Sequence, residues 1–147
     1  MVEDLEVTNI SEIGNVKIVS NILYVNIRGL LVMNDRAKVR KLGAIATNSG
    51  CFGIIITETW LTEDVIDKEI EIPGFKVFRA DRKERKRGGV CIYIKSDISA
   101  MMCLSYSNCV TECVIVKVRE LKLVMVGVYR PPDTKLSEFK DVIGKID

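Results

Sequence analysis

The sequence predicts an α/β domain, in the broader α+β sense: one mixed sheet with helices on one face. Three observations carry that expectation. Residues 17–57 run strand-like, helix-like, strand-like, the order of a parallel pair joined by a crossover helix. Beyond Pro73-Gly74 the pattern changes to short apolar runs at hairpin spacing. After Pro131-Pro132, apolar residues return at helical spacing.

The elements follow in order. Residues 1–15 are polar with scattered Val and Ile and read as a loose N-terminal segment, with the domain proper over 16–147. Residues 17–25 are rich in Val, Ile and Leu and read as a strand. Asn34 or Asp35 can cap a helix reaching about Asn48, with Val39, Leu42, Ile45 and Ala46 as its apolar stripe. Arg36, Arg40 and Lys41 lie off that stripe, and Gly50 suits a C-terminal stop. Residues 52–57 form a continuous apolar run, as expected of a strand buried on both faces. Residues 75–79 and 90–95 read as strands joined by a charged loop containing Gly88-Gly89. Residues 113–118 and 122–129 are close enough to form a hairpin, which Pro131-Pro132 ends because proline cannot donate to the ladder. Asp133 or Thr134 then caps a last helix with Leu136, Phe139, Ile143 and Ile146 on one face.

Composition narrows the chemistry. The 147 residues include no histidine, so a Ser-His-Asp or Cys-His apparatus and an imidazole acid or base are excluded. Five cysteines without a CxxC pair argue against a zinc ribbon and a disulfide framework, and are expected to be buried fillers. The start of the chain carries Glu3, Asp4 and Glu6 in place of a basic, then apolar, leader, and no apolar run approaches the ~18 residues of a membrane span. The expected setting is therefore intracellular, nuclear or cytoplasmic, not secreted and not membrane-bound. A mean hydropathy of +0.17 is high for a small domain. Strands this apolar call for a second covering layer, or for a larger protein of which this is part.

Three strand-end segments stand out: Asn26-Ile27-Arg28-Gly29-Leu30, Thr57-Glu58-Thr59-Trp60-Leu61 and Val128-Tyr129-Arg130-Pro131-Pro132. Polar residues just past strand C-termini gather at one edge of an α/β sheet, so Asn26 and Glu58 are expected in one crevice. An amide oxygen and a carboxylate begin a magnesium site, because Mg2+ takes about six hard oxygen ligands and keeps several as water. The same two residues also suit a turn former and a surface charge. Between residues 79 and 87 six cations face two anions, a local charge of +4 in a chain totalling +2. Arg82, Lys83, Arg85, Lys86 and Arg87 there are candidates for nucleic-acid phosphates, with a solvated hairpin tip as the plainer reading, and Arg130 suits either a phosphate or a brace for its turn. Trp60 is expected in the core, with a stacking platform as the alternative, Arg28 as a brace for Asn26 or Glu58, and Glu112 in a structural role.

Taken together and in this order, Asn26-x-Arg28-x-Leu30, Glu58-Thr59-Trp60-Leu61, Pro73-Gly74-Phe75, Arg79-x-Asp81-Arg82, Gly88-Gly89-Val90-x-Ile92-Tyr93, Glu112 and Tyr129-Arg130-Pro131-Pro132 resemble the endonuclease/exonuclease/phosphatase superfamily. The resemblance is nearest to the apurinic-endonuclease-like domain of non-LTR retrotransposon, reverse-transcriptase-bearing proteins, and runs from about residue 20 onward. It implies a four-layer α/β/β/α sandwich of which this chain holds the N-terminal half, with the second sheet missing. It implies a magnesium-dependent phosphodiesterase that nicks DNA, in which Asn26 and Glu58 hold the metal and Tyr129 lies by the scissile phosphate. The family's Asp-x-Asn and Ser-Asp-His motifs do not occur after Tyr129. The expectation is a truncated hydrolase domain, inactive or nearly so by itself, binding Mg2+ weakly and DNA within a full-length protein. Its bare inner sheet face would favour self-association. A nuclease completed by another chain, and a non-catalytic nucleic-acid-binding or dimerising domain, remain the alternatives.

Overall fold

The computed structural model describes residues 6–10, 13–33, 35–83, 86–108 and 111–132, together with 135, 137, 140, 141 and 144. Within them the chain forms a six-stranded mixed sheet, a three-stranded antiparallel sheet and one α-helix. The first sheet comprises β1 (Glu6–Ile10), β2 (Gly14–Val19), β3 (Ile22–Asn26), β4 (Gly53–Thr57), β5 (Phe75–Ala80) and β6 (Val90–Lys95), in the order β1-β2-β3-β4-β6-β5. The second runs β7 (Ala100–Ser107), β8 (Glu112–Val118), β9 (Leu123–Tyr129).

The crossover is as expected. Helix α1 (Ala37–Asn48) links β3 to β4, which pair in parallel. Asp35 Oδ1 accepts the Ala37 N–H at 2.9 Å, satisfying one of the amides a helix start leaves open. Val39, Leu42 and Ala46 are buried and pack with Leu23, Val25, Ile54 and Ile56 on one face of the large sheet. A side chain such as Leu42, fully removed from water, contributes about 1.5–3 kcal/mol.

The opposite face of that sheet meets the second sheet. Ile92, Ile94 and Val90 of β6 pack with Val114, Val116 and Val118 of β8 and Met125 of β9. This corrects the one-sheet expectation and the bare inner face drawn from it. Strand periodicity tells which face of a strand is apolar, but not which sheet the strand joins. β7 shifts register between Met102 and Leu104, so its alternation is broken and its sequence carries no clean strand period. What stays open on the inner face lies over β2 and β3, where Val19 and Tyr24 remain exposed.

Two further corrections fall at the start. Residues 6–10, expected to be loose, pair with β2 along its length. The single strand expected over 17–25 is a hairpin: Ser20 and Asn21 take φ of 50° and 61°, the two-residue turn whose twist suits antiparallel strands. Cys51, Cys91 and Cys113 are buried and form no disulfide, as expected, while Cys103 is exposed. The apolar stripe expected from Leu136 to Ile146 falls on residues outside the described set. Among the described residues no helix is long and apolar enough to cross a membrane.

Candidate active site

Asn26 ends β3 and Thr57, its register partner, ends β4, so both side chains face the second sheet. Strict alternation would send the next residue, Glu58, to the helix side. It does not go there, because Glu58 adopts φ 55°, in the left-handed region. Its carboxylate instead accepts the Asn26 amide, Nδ2 to Oε1 at 3.3 Å, and the Tyr129 hydroxyl from the end of β9. Three residues far apart in the chain thus meet at one corner, on two sheets.

Burial, and then the hydrogen bond and negative charge of Glu58, push the Tyr129 phenol up to about 12. It is therefore a proton donor at neutral pH. Folding favours its protonated form, so that contribution is whole below the ordinary phenol range and is lost as pH rises from 10 to 12. Difference titration at 295 nm, wild type against Tyr129→Phe, is expected to show one phenol ionising near 12. A missing component of ordinary pKa would contradict the contact.

The loops holding this corner are joined backbone to backbone. The Ile27 N–H donates to Thr57 C=O at 3.0 Å, Gly29 to Glu58 at 2.9 Å and Leu30 to Thr59 at 2.9 Å. The third loop joins through Thr59 N–H to Gly89 C=O at 3.3 Å and Trp60 N–H to Gly88 C=O at 2.8 Å. Lys38 reaches from α1 to the carbonyls of Ile27 and Gly29 at 3.2 and 2.9 Å. Four non-glycine residues here are left-handed: Arg28 (48°), Glu58 (55°), Trp60 (57°) and Arg87 (74°). Each such conformation costs on the order of 1–3 kcal/mol and persists only where surroundings over-determine it, as at functional sites.

Beneath lies a buried ion pair. Glu112, fully buried at the start of β8, accepts Arg82 Nε at 3.0 Å and Nη2 at 3.2 Å, and also the Gly89 N–H. Burial pushes its carboxyl up, against the opposing pull of Arg82 and the Gly89 amide. Gly88 and Gly89 are both left-handed, and a Cβ on Gly88 would collide with the carboxylate and guanidinium of this pair. Glu112 has the structural role expected of it. Its signal was a lone acid opening a strand that is apolar but for Lys117.

The charged stretch divides. Arg79 bonds Asp81 at 2.7 Å, Asp67 at 3.1 Å and the Val65 carbonyl at 2.6 Å, tying β5 to the segment before it. The Arg82 side chain is 8% exposed in its pair with Glu112, and its guanidinium also lies 5.7 Å from the Tyr129 ring centroid. Lys83, Lys86 and Arg87 are exposed, Arg130 is half-buried, and Arg85 lies outside the described residues. Trp60 corrects the core expectation: it is 38% exposed, with the Arg87 guanidinium 5.3 Å over its ring. Among the described residues no cluster of three His, Cys, Asp or Glu side chains forms.

No family model and no curated protein matches the sequence. Among solved structures the chain is similar to the endonuclease domain of TRAS1, a telomere-specific non-LTR retrotransposon. The TM-score is 0.55 at 17% identity, over 86% of this chain and 52% of that one. The likeness is one of fold, and it meets the resemblance carried by the motifs. The chain spans about half the length of that domain.

Proposed function

We propose that this chain carries the metal-holding part of a magnesium-dependent phosphodiesterase site that nicks DNA, of the retroelement endonuclease kind, acting inside the cell. One observation carries the reading: Asn26, Glu58 and Tyr129 converge at the ends of three strands on a backbone locked in left-handed conformations. The fold likeness to an endonuclease domain supports it.

The residues fit a hydrated magnesium ion. Glu58 offers a carboxylate and Asn26 an amide oxygen, both hard donors, and few protein ligands suffice because this ion keeps much of its water. Thr57, the register partner of Asn26, has a buried hydroxyl oxygen without a hydrogen-bond partner, which a water of such an ion would satisfy. When bound, the ion would polarise a phosphate oxygen and stabilise the leaving oxygen. Tyr129 gives its one proton to the Glu58 carboxylate and holds it in place; with a phosphate in the site that O–H would turn to a phosphate oxygen instead. Lys83, Lys86 and Arg87 supply backbone contacts for DNA, whereas Arg82 and Glu112 brace the corner.

These residues provide no histidine to hold a phosphate and no acid–base pair to orient water. Losing one general acid–base group alone costs about 10²–10⁴-fold. The 147-residue chain is therefore expected to leave supercoiled plasmid intact with Mg2+, yet to bind Mn2+ weakly in water-proton relaxation, a signal that Glu58→Gln removes. Equal relaxation enhancement by both proteins would discard the metal site. Plasmid relaxed by the chain and spared by Glu58→Ala would discard its inactivity.

A second reading, completion of the site by another segment or chain, draws on the second sheet. Strand β9 has one partner, β8, among the described residues, and the inner face over β2 and β3 is uncovered beside it. Further strands would add there, next to Tyr129; a second copy of this chain is one candidate to supply them.

A further inference from the structure

Next to the metal corner lies a cleft of about 370 Å³ lined by Trp60, Leu61, Thr62, Lys86 and Arg87. It brings together an indole face, a buried leucine and two exposed cations. From it we infer that Trp60 is a stacking platform for an unpaired nucleobase, with Lys86 and Arg87 taking the adjoining phosphates. This rests on the nucleic-acid part of the proposed function, and says which form of nucleic acid the site prefers.

The platform is built rigidly. Trp60 sits in a left-handed conformation at φ 57°, held by its N–H on the Gly88 carbonyl at 2.8 Å. Gly29 backs the six-membered half of the indole: a Cβ built there would lie 2.9 Å from Cε3. A tryptophan serving only to fill the core would not be left 38% exposed after such positioning. A flat aromatic that is already fixed binds a base without losing side-chain freedom.

Arg87 marks where the base goes. Its guanidinium lies over the ring, 5.3 Å from the centroid. A guanidinium is planar and stacks on aromatic faces, as a base does. It also forms bidentate bonds with phosphate. When a base takes the ring face, Arg87 is displaced toward the backbone of the same nucleotide, so one movement serves both contacts. A base already paired inside a duplex has both faces covered by its neighbours and cannot lie flat on Trp60. An unpaired base, at a fray, a distortion or in a single strand, can.

Trp60 is the sole tryptophan of the chain, so its fluorescence reports on the platform directly. The full chain, in low salt without metal, is titrated with an oligothymidylate of eight nucleotides and with an abasic backbone of the same length. The oligothymidylate is expected to quench the emission saturably and to bind about 5- to 150-fold more tightly than the abasic strand by anisotropy, the range for one stacked base. Trp60→Leu should remove that advantage while leaving abasic affinity unchanged, and Trp60→Phe should keep most of it. Equal affinity for the two strands with wild type overturns the stacking platform and leaves a phosphate-binding surface. Binding of neither strand overturns the platform and the nucleic-acid reading together. Mn2+ binding, measured separately, is untouched by either result.

Discussion

Glu112→Ala is expected to lower the unfolding free energy by about 3–5 kcal/mol, the range for removing one partner of a buried ion pair. The substitution takes the Glu112 carboxylate away from the Arg82 guanidinium, which is 8% exposed. It also leaves the Gly89 N–H without an acceptor. Urea melts of wild type and mutant measure the loss. Glu112→Gln keeps an acceptor for Gly89 and should retain part of it. The double substitution Arg82→Met with Glu112→Leu replaces both charges by apolar groups and should recover much of the loss, but not all, because the Gly89 amide stays unpaired. A loss under about 1 kcal/mol for Glu112→Ala would mean that the pair is solvated and does not brace the corner.

Gly127→Val is expected to destabilise by about 1–3 kcal/mol or more, the cost of overpacking a filled interior. Gly127 lies on β9 and faces the first sheet. A Cβ there would be 2.7 Å from Val90 Cγ1 and 3.3 Å from Ile55 Cγ2. A Cβ on Gly53, on the facing strand β4, would be 2.8 Å from the Met125 methyl. The space at Gly127 is taken by β-branched side chains of the facing sheet, which are stiff at χ1, whereas the flexible end of Met125 can swing aside from Gly53. The neighbouring Val126, 41% exposed, is the control, since Val126→Thr should change stability by less than about 0.5 kcal/mol. If Gly127→Val melted with the wild type, the sheets would not be packed as described. The Tyr129 corner, which depends on that packing, would then be in doubt as well.

How much of this was legible beforehand differs by residue. Helix α1 was readable because its stripe of Val39, Leu42 and Ala46 repeats at the helical period and Gly50 punctuates it. β4 was readable because a strand covered on both faces needs no alternation. The hairpin at Ser20-Asn21 was not separated, since apolar residues continue on both sides of two small polar ones and turn geometry depends on a pair of backbone angles. Trp60 was misplaced because hydrophobicity ranks it with core residues, and only the left-handed turn at Glu58 and Trp60 shows that the chain turns the ring outward. Arg82 reads as one more cation in a basic stretch until its distance to Glu112, thirty residues away, is known.

By itself the sequence determined the local periods, the turns carrying proline and glycine, the absence of imidazole chemistry, and the presence of an amide, a carboxylate and a phenol at strand ends. Those are properties of a residue and its near neighbours. Only the tertiary structure decided that β7, β8 and β9 form a second sheet, that Tyr129 touches Glu58, and which cations remain at the surface. Each of those depends on contacts between residues far apart in the chain. Such contacts are selected by packing of whole faces, which a pattern of apolar positions permits in several arrangements but does not choose among.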